Sequence, residues 1–136
     1  MTSRFTTLVV DAHDPQRLAE FWAAVLGWAI TPPSANDVDD PDPDDDDVEV
    51  RGNSDGPALL FQKVPEDKAV KNRLHIDVNA TGGCDQAGEV ERVMALGATP
   101  VDVGQRDVSW VVLADPEGNE FCILRSTVRP EPGPWH

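Results

Sequence analysis

The sequence predicts an α+β protein of two βαβββ modules, with a mostly antiparallel sheet and the helices on one face. Three observations predict this architecture. A β-like run leads into a helix that ends in Leu-Gly twice, over Pro15–Leu26 and over Ala87–Leu96. A turn opens a later strand in each half, at Asp55-Gly56 and at Asp115-Pro116-Glu117-Gly118. Each half also contains four β-like runs around one helix, and such internal repetition indicates architecture more strongly than any single residue.

The elements of the first half follow from local patterns. Residues 5–11 alternate and are rich in Thr and Val, which predicts a strand. Asp14 is a suitable N-cap and Pro15 suits the first helical position, so a helix begins there. Its apolar residues recur at helical spacing and form one buried stripe: Leu18, Phe21, Trp22, Val25 and Leu26. Gly27 ends the helix, and residues 28–30 and 58–64 are predicted strands, with a short strand remnant at Glu49-Val50 between them.

The second half repeats this order. A strand over Leu74–Asn79 leads to a helix from about Asp85 to Leu96, which Gly97 ends. The inward-facing helix residues are predicted to be Ala87, Val90, Val93 and Met94. Three further strands are predicted, the first two flanking a turn that contains Gly104: Thr99–Val103, Val108–Ala114 and Asn119–Arg125.

Length and composition bound the class of protein. A chain of 136 residues is long enough for one core, so we expect a single domain over residues 1–128. Module one covers about residues 4–64 and module two about 73–126, and a proline-rich, loosely attached tail occupies 129–136. No apolar run approaches the length of a membrane span, and the N-terminus lacks the apolar core of a signal peptide. The expected location is therefore the cytoplasm, without a membrane partner.

The charge is concentrated in one segment. Nine acidic residues and no basic residue lie between Asp37 and Glu49, and without those nine charges the net charge of −14 becomes −5. Because phosphate backbones require clustered Lys and Arg, nucleic acid is not an expected partner. Two interpretations of residues 37–49 stay open. They form a solvated loop, or they attract cationic ligands to a neighbouring site.

The motifs together resemble the vicinal oxygen chelate superfamily, the glyoxalase/bleomycin-resistance/extradiol-dioxygenase group, and in particular its small glyoxalase-like members. The resemblance rests on four pieces that span most of the chain: residues 14–28, Asn72–Val78, Leu96–Ala98 and Trp110–Phe121. It is specific for the fold and not for the reaction, since this superfamily includes isomerases, dioxygenases, epimerases, thiol transferases and drug-binding proteins.

The resemblance implies that the sheets of the two modules curl around a cup, with the helices on the outer face. It also implies four metal-ligand positions on the first and last strands of the modules. They fall on Thr7, Gln62, His75 and Cys122, where metal-using members usually have His, Glu, His and Glu. Only His75 matches well, so a four-ligand site is expected to be incomplete. If a metal is bound, the resemblance implies a divalent transition metal such as Fe, Mn, Ni or Zn.

Strand alternation provides an independent prediction of the residues that line the cup. Leu74, Ile76 and Val78 are expected to face the helices, which turns His75 and Asp77 to the opposite face. The same reasoning for the other strands predicts a concave lining with one aromatic wall and several polar groups: Thr7, Leu60, Gln62, His75, Asp77, Trp110, Glu120 and Cys122.

Three chemical interpretations of this lining remain open. His75 ligates a divalent metal with help from Glu120 or Gln62, or it acts as a general base oriented by Asp77 or Glu120. In the third, the pocket binds a ligand without transforming it. The predicted catalytic residues are thus His75 and Glu120, and the predicted substrate-binding residues are Thr7, Leu60, Gln62, Asp77, Trp110 and Cys122.

The expected function is to bind or transform a small organic molecule. The alternatives are a metal-dependent lyase, isomerase or dioxygenase, and a bleomycin-type resistance protein that sequesters a cationic drug. Cys84 and Cys122 match no metal spacing and are expected to be reduced thiols. A homodimer is a further expectation, with Trp28 and the terminal residues 134–136 as candidate contacts.

Overall fold

The computed structural model describes residues 1–31, 46–53, 55–102 and 108–130. These residues form two compact units, one over Met1–Asp67 and one that begins at Lys68. Each unit is a βαβββ module, so the predicted α+β class and the predicted repeat are confirmed. The rest of the acidic segment before Asp46, the turn at Gly104 and the end of the tail lie outside the described residues.

The first module consists of β1 (Thr7–Ala12), α1 (Pro15–Leu26), β2 (Ala29–Thr31), β3 (Val48–Arg51) and β4 (Ala58–Lys63). Its sheet has the strand order β1-β4-β3-β2, in which β1 and β4 are parallel and the other two pairs are antiparallel. The Asp14 carboxylate accepts a hydrogen bond from Arg17 N at 3.2 Å. Gly27 ends α1 in the left-handed conformation at φ 68°, as its sequence position predicts.

The core of the first module lies between α1 and one face of its sheet. Of the predicted stripe, Leu18, Phe21, Trp22 and Val25 are buried and Leu26, at the helix end, is half-buried. The helix packs against β3 and β4. The sheet contributes Val50, Leu59 and Phe61, which are also buried. Glu49 and Val50, the predicted strand remnant, lie in β3, and Arg51 forms a 2.6 Å ion pair with Glu49.

The second module consists of β5 (Ile76–Val78), α2 (Gln86–Leu96), β6 (Thr99–Pro100), β7 (Val111–Ala114) and β8 (Glu120–Ile123). Its sheet repeats the topology of the first, with the order β5-β8-β7-β6 and a parallel β5–β8 pair. Its core contains Val93, Leu113, Phe121 and Ile123. Among the described residues, no helix combines the length and the apolar character needed to cross a bilayer.

Three apolar residues of the second module do not lie where the periodicity predicts. Leu74 is 76 % exposed because β5 begins only at Ile76, so it does not pack beneath a helix. Ala87 and Met94 of α2 are exposed as well. The buried side of that helix instead carries Val93 and Glu89, whose carboxylate accepts a hydrogen bond from Arg92 Nε at 2.7 Å.

Candidate functional site

One face of the second sheet brings three predicted site residues together. Asp77 of β5 lies opposite Cys122 of β8 in the parallel register, and Val112 of β7 lies opposite Cys122 on its other side. His75 lies directly before β5, two residues ahead of Asp77. The helix-facing side of the same strands carries Ile76, Phe121 and Ile123, in agreement with the predicted alternation.

The three side chains form a compact cluster. His75 Nε2 lies 3.1 Å from Asp77 Oδ1, and one ligand atom from each of His75, Asp77 and Cys122 lies within 4.8 Å of the other two. The imidazole and the carboxylate are about half exposed, at 50 % and 46 % of their side-chain surface. Cys122 is 8 % exposed and forms the floor of the cluster. A small molecule arriving from solvent would therefore meet His75 and Asp77 before the thiol.

Burial and charge both act on the thiol of this cluster. Burial raises the pKa of Cys122, and the nearby Asp77 carboxylate raises it further by electrostatic repulsion and a hydrogen bond. The positive charge of Lys71 opposes this effect. Without a cation between the ligand atoms, Cys122 is thus a protonated thiol at neutral pH.

The donor set of the cluster is suited to a transition metal. An imidazole nitrogen, a carboxylate oxygen and a thiol sulfur are the ligand types that bind Zn²⁺ and related divalent ions. Binding would displace the thiol proton, because the thiolate is the ligand form. The sequence predicted His75 as a metal ligand and placed Asp77 and Cys122 in the lining. Cys122 also stood at a ligand position that the resemblance implied, whereas Asp77 was not predicted to be a donor.

The Glu120 carboxylate is already bonded to residues other than His75. Lys68 Nζ donates to Glu120 Oε1 at 2.8 Å, and the backbone N–H of Asn72 donates to Oε2 at 3.0 Å. Burial raises the pKa of this carboxyl, but the hydrogen bonds from Lys68 and Asn72 outweigh it, so the pKa lies below its usual value. Its partners in the described residues are Lys68 and Asn72, and His75 lies next to Asp77 instead.

We expect Glu120→Gln to lower the free energy of unfolding by about 1–2 kcal/mol at neutral pH, because a charged hydrogen-bonded pair is lost. A carboxyl whose pKa is depressed by folding stabilises the protein above its unfolded pKa of about 4.3 and loses that contribution as the pH falls through the folded value. Urea unfolding of both proteins at pH 7 and pH 3 measures this. Stability differences of equal size at the two pH values would contradict it, and Glu91→Gln on the exposed side of α2 is the charge control.

The remaining predicted lining residues are divided between the two modules. Trp110 lies just before β7 in the second module and is 42 % exposed. In the first module, Thr7, Leu60 and Gln62 occupy the more exposed face of β1 and β4, opposite the buried Leu59 and Phe61. Their roles in ligand binding, like the cup between the modules, stay predictions.

Two βαβββ modules of the same topology, with a donor cluster on the second sheet, define the class of protein: a member of the vicinal oxygen chelate fold. A family model described as a glyoxalase-like domain matches residues 7–124, and the chain belongs to that family. No functionally curated protein matches the sequence significantly.

Solved structures with the same fold are similar over nearly their full length. The fosfomycin resistance protein FosX from Listeria monocytogenes is 13 % identical, with 94 % of this chain and 95 % of that chain covered and a TM-score of 0.64. A glyoxalase/bleomycin resistance protein from Albidiferax ferrireducens T118 is 22 % identical, with 91 % and 99 % covered and a TM-score of 0.55. Hypothetical protein SA1046 from S. aureus is 16 % identical, with 93 % and 95 % covered and a TM-score of 0.59. At these identities the similarity shows the fold alone.

Proposed function

We propose that this glyoxalase-like protein binds and transforms a small organic molecule at a divalent metal ion held by His75, Asp77 and Cys122. The observation that carries the proposal is the mutual proximity of the three ligand atoms, all within 4.8 Å of one another. Such a set differs from the four-position pattern that the family resemblance implies, since all three donors belong to the second module.

Three protein donors are the number found in catalytic metal sites, where the open coordination position takes water or substrate. When bound, the ion would act as a Lewis acid toward a substrate oxygen. The half-exposed His75 and Asp77 leave the site accessible from solvent. The structurally similar FosX from Listeria monocytogenes was solved with Mn(II) and dihydroxypropylphosphonic acid, which supports a metal-assisted function for a chain of this fold.

The proposal predicts stoichiometric metal binding that depends on the cluster. Protein purified without a histidine tag should bind one Co²⁺ per chain and show a sulfur-to-cobalt charge-transfer band. His75→Ala should weaken binding at least about 100-fold, because one of three ligands is lost. Cys122→Ser should remove the charge-transfer band while leaving weaker binding by the other two donors. Absorption titration with Co²⁺ and competition with Zn²⁺ measure both effects.

Cys84→Ser is the matched control for this experiment. Cys84 is the other free cysteine of the second module, and it is exposed. This variant should bind Co²⁺ like the wild type, and circular dichroism should show that all variants are folded. Wild-type protein that binds no cobalt, or an equal loss in the two cysteine variants, would overturn the metal site. The close approach of His75 Nε2 to Asp77 Oδ1, at 3.1 Å, would then favour the general-base interpretation.

A further inference from the structure

The short segment that carries His75 is attached to β8 at both of its ends. We call residues 72–75 the His75 segment. At its start, Asn72 N donates a hydrogen bond to Glu120 Oε2 at 3.0 Å. Directly after the segment, Ile76 pairs with the residue that follows Glu120 in β8. The two attachment points are therefore consecutive residues of the strand that also carries the thiol of the candidate site.

Packing contributes little to the position of the His75 segment in the described part of the chain. Only Asn72 is partly buried, whereas Arg73, Leu74 and His75 are exposed, Leu74 to 76 %. The segment belongs to no helix or strand, and the chain bends at Arg73 and Leu74. Because an exposed and irregular segment with few buried apolar contacts opens easily, the hydrogen bond at Asn72 is the attachment that limits where His75 can lie.

The carboxylate that accepts this hydrogen bond is itself held in place. Glu120 Oε1 accepts from Lys68 Nζ at 2.8 Å, and the Glu120 side chain is only 12 % exposed. The Lys68 stem lies near the turn between β7 and β8, since a Cβ atom at Gly118 would be 3.9 Å from Lys68 Cδ. Within that turn, Asp115 N donates to Asn119 O at 2.9 Å. An ordered carboxylate next to a well-bonded turn thus holds the start of the segment.

We propose that Glu120 is a positioning residue for the candidate metal site: its carboxylate holds the His75 segment so that the imidazole lies beside Asp77 and Cys122. The inference rests on the proposed metal site and assigns Glu120 a role there without making it a ligand. In this arrangement His75 Nε2 lies 3.1 Å from Asp77 Oδ1. A site whose ligands are already ordered binds an ion more tightly than one whose ligand has to be ordered on binding, because no conformational entropy is lost at that moment.

The test measures Co²⁺ affinity by absorption titration in a double-mutant cycle between Glu120 and His75. Glu120→Ala removes both acceptor oxygens and should weaken Co²⁺ binding about 10-fold, as the loss of a residue that orients a metal ligand does. The sulfur-to-cobalt charge-transfer band should remain, because Cys122 still ligates the ion. In the His75→Ala background, Glu120→Ala should cause no further loss, since no imidazole is left to position. In the Cys122→Ser background, the loss of about 10-fold should persist.

Two control variants separate the positioning role from the mere loss of a negative charge. Lys68→Met leaves the hydrogen bond between Asn72 N and Glu120 in place and should not weaken Co²⁺ binding. If the charge of Glu120 were the cause of the loss, removing the positive charge beside it would strengthen Co²⁺ binding by a similar factor, and that result would overturn the positioning role. Glu91→Ala removes an exposed carboxylate from α2 and should bind Co²⁺ like the wild type.

Circular dichroism shows whether each variant is folded. If Glu120→Ala does not fold, Glu120→Gln takes its place in the cycle. One amide oxygen then remains for the two donors, Lys68 Nζ and Asn72 N, so a smaller loss of about 3-fold is expected. This loss should again occur only in the variants that retain His75.

The outcomes separate this inference from the function on which it rests. Wild-type protein that binds no cobalt would overturn the metal site, and the positioning role with it. Protein that binds cobalt equally well with and without the Glu120 carboxylate would overturn the positioning role alone. A loss of the same size in the presence and in the absence of His75 would also overturn it, because Glu120 would then act through the fold as a whole and not through the imidazole.

Discussion

Replacing Asp115 by alanine is expected to lower the free energy of unfolding by about 3 kcal/mol, because two backbone donors would lose their acceptor in the protein interior. Asp115 is 3 % exposed. Its Oδ1 accepts hydrogen bonds from Glu117 N at 2.9 Å and from Asn119 N at 3.0 Å, and both carboxylate oxygens accept from Asn119 Nδ2. Chemical denaturation at neutral pH measures the loss, which for a chain of this length corresponds to about 10 °C in Tm.

Loss of the Asp115 carboxylate should also disturb the strand register at the candidate site. The Asp115 turn joins β7 to β8 and sets the register in which Val112 lies opposite Cys122. Asp115→Asn keeps one acceptor oxygen and should lose less stability than the alanine variant. Glu91→Gln removes an exposed carboxylate and should be neutral. If Asp115→Ala were as stable as Glu91→Gln, the hydrogen-bonded turn would not be the source of stability that its geometry indicates.

Much of the fold could be predicted from the sequence because its signals are local. The Asp14 cap, the Pro15 start and the Gly27 end of α1 each depend on neighbouring backbone groups, and all are present in the structure. Asp85 likewise caps α2 by accepting from Gly88 N at 2.8 Å. The exposure of Leu74 could not be predicted in this way. Its strand begins only at Ile76, and the residues before it are bonded to Glu120 across 48 residues of sequence, through Asn72 N.

The candidate site likewise combines positions that local sequence patterns predict with positions that only long-range strand pairing brings together. Alternation along β5 predicted that His75 and Asp77 share a face, because it needs only the strand period. The proximity of Cys122 follows from the parallel β5–β8 register, which pairs residues 45 positions apart at Asp77 and Cys122. The engagement of Glu120 by Lys68 is also a long-range contact. Neither partner has a sequence pattern that identifies the other.

A side chain at Gly52 is expected to be as costly as the loss of the Asp115 carboxylate. Gly52 is buried after β3, and a Cβ atom there would lie 2.5 Å from Trp28 Cδ1, 2.6 Å from Cε2 and closer still to Nε1. Real Cβ atoms do not approach this closely, so the indole or the strand would have to move. Since overpacking typically costs about 1–3 kcal/mol, we expect Gly52→Ala to destabilise by about 2–3 kcal/mol and Gly52→Val by more. Urea unfolding measures both.

Two further variants attribute this cost to the indole. In Gly56→Ala, the new Cβ would have Asn53 Cβ as its nearest neighbour at 3.5 Å, an ordinary contact, so this variant of the same loop should be nearly neutral. The Nε1 atom of Trp28 is buried without a hydrogen-bond partner in the described residues, so Trp28→Phe removes an unsatisfied donor together with the atoms nearest Gly52. Gly52→Ala should therefore cost less in Trp28→Phe than in the wild type. Equal costs in both backgrounds would locate the strain in the β3 backbone and not against the ring.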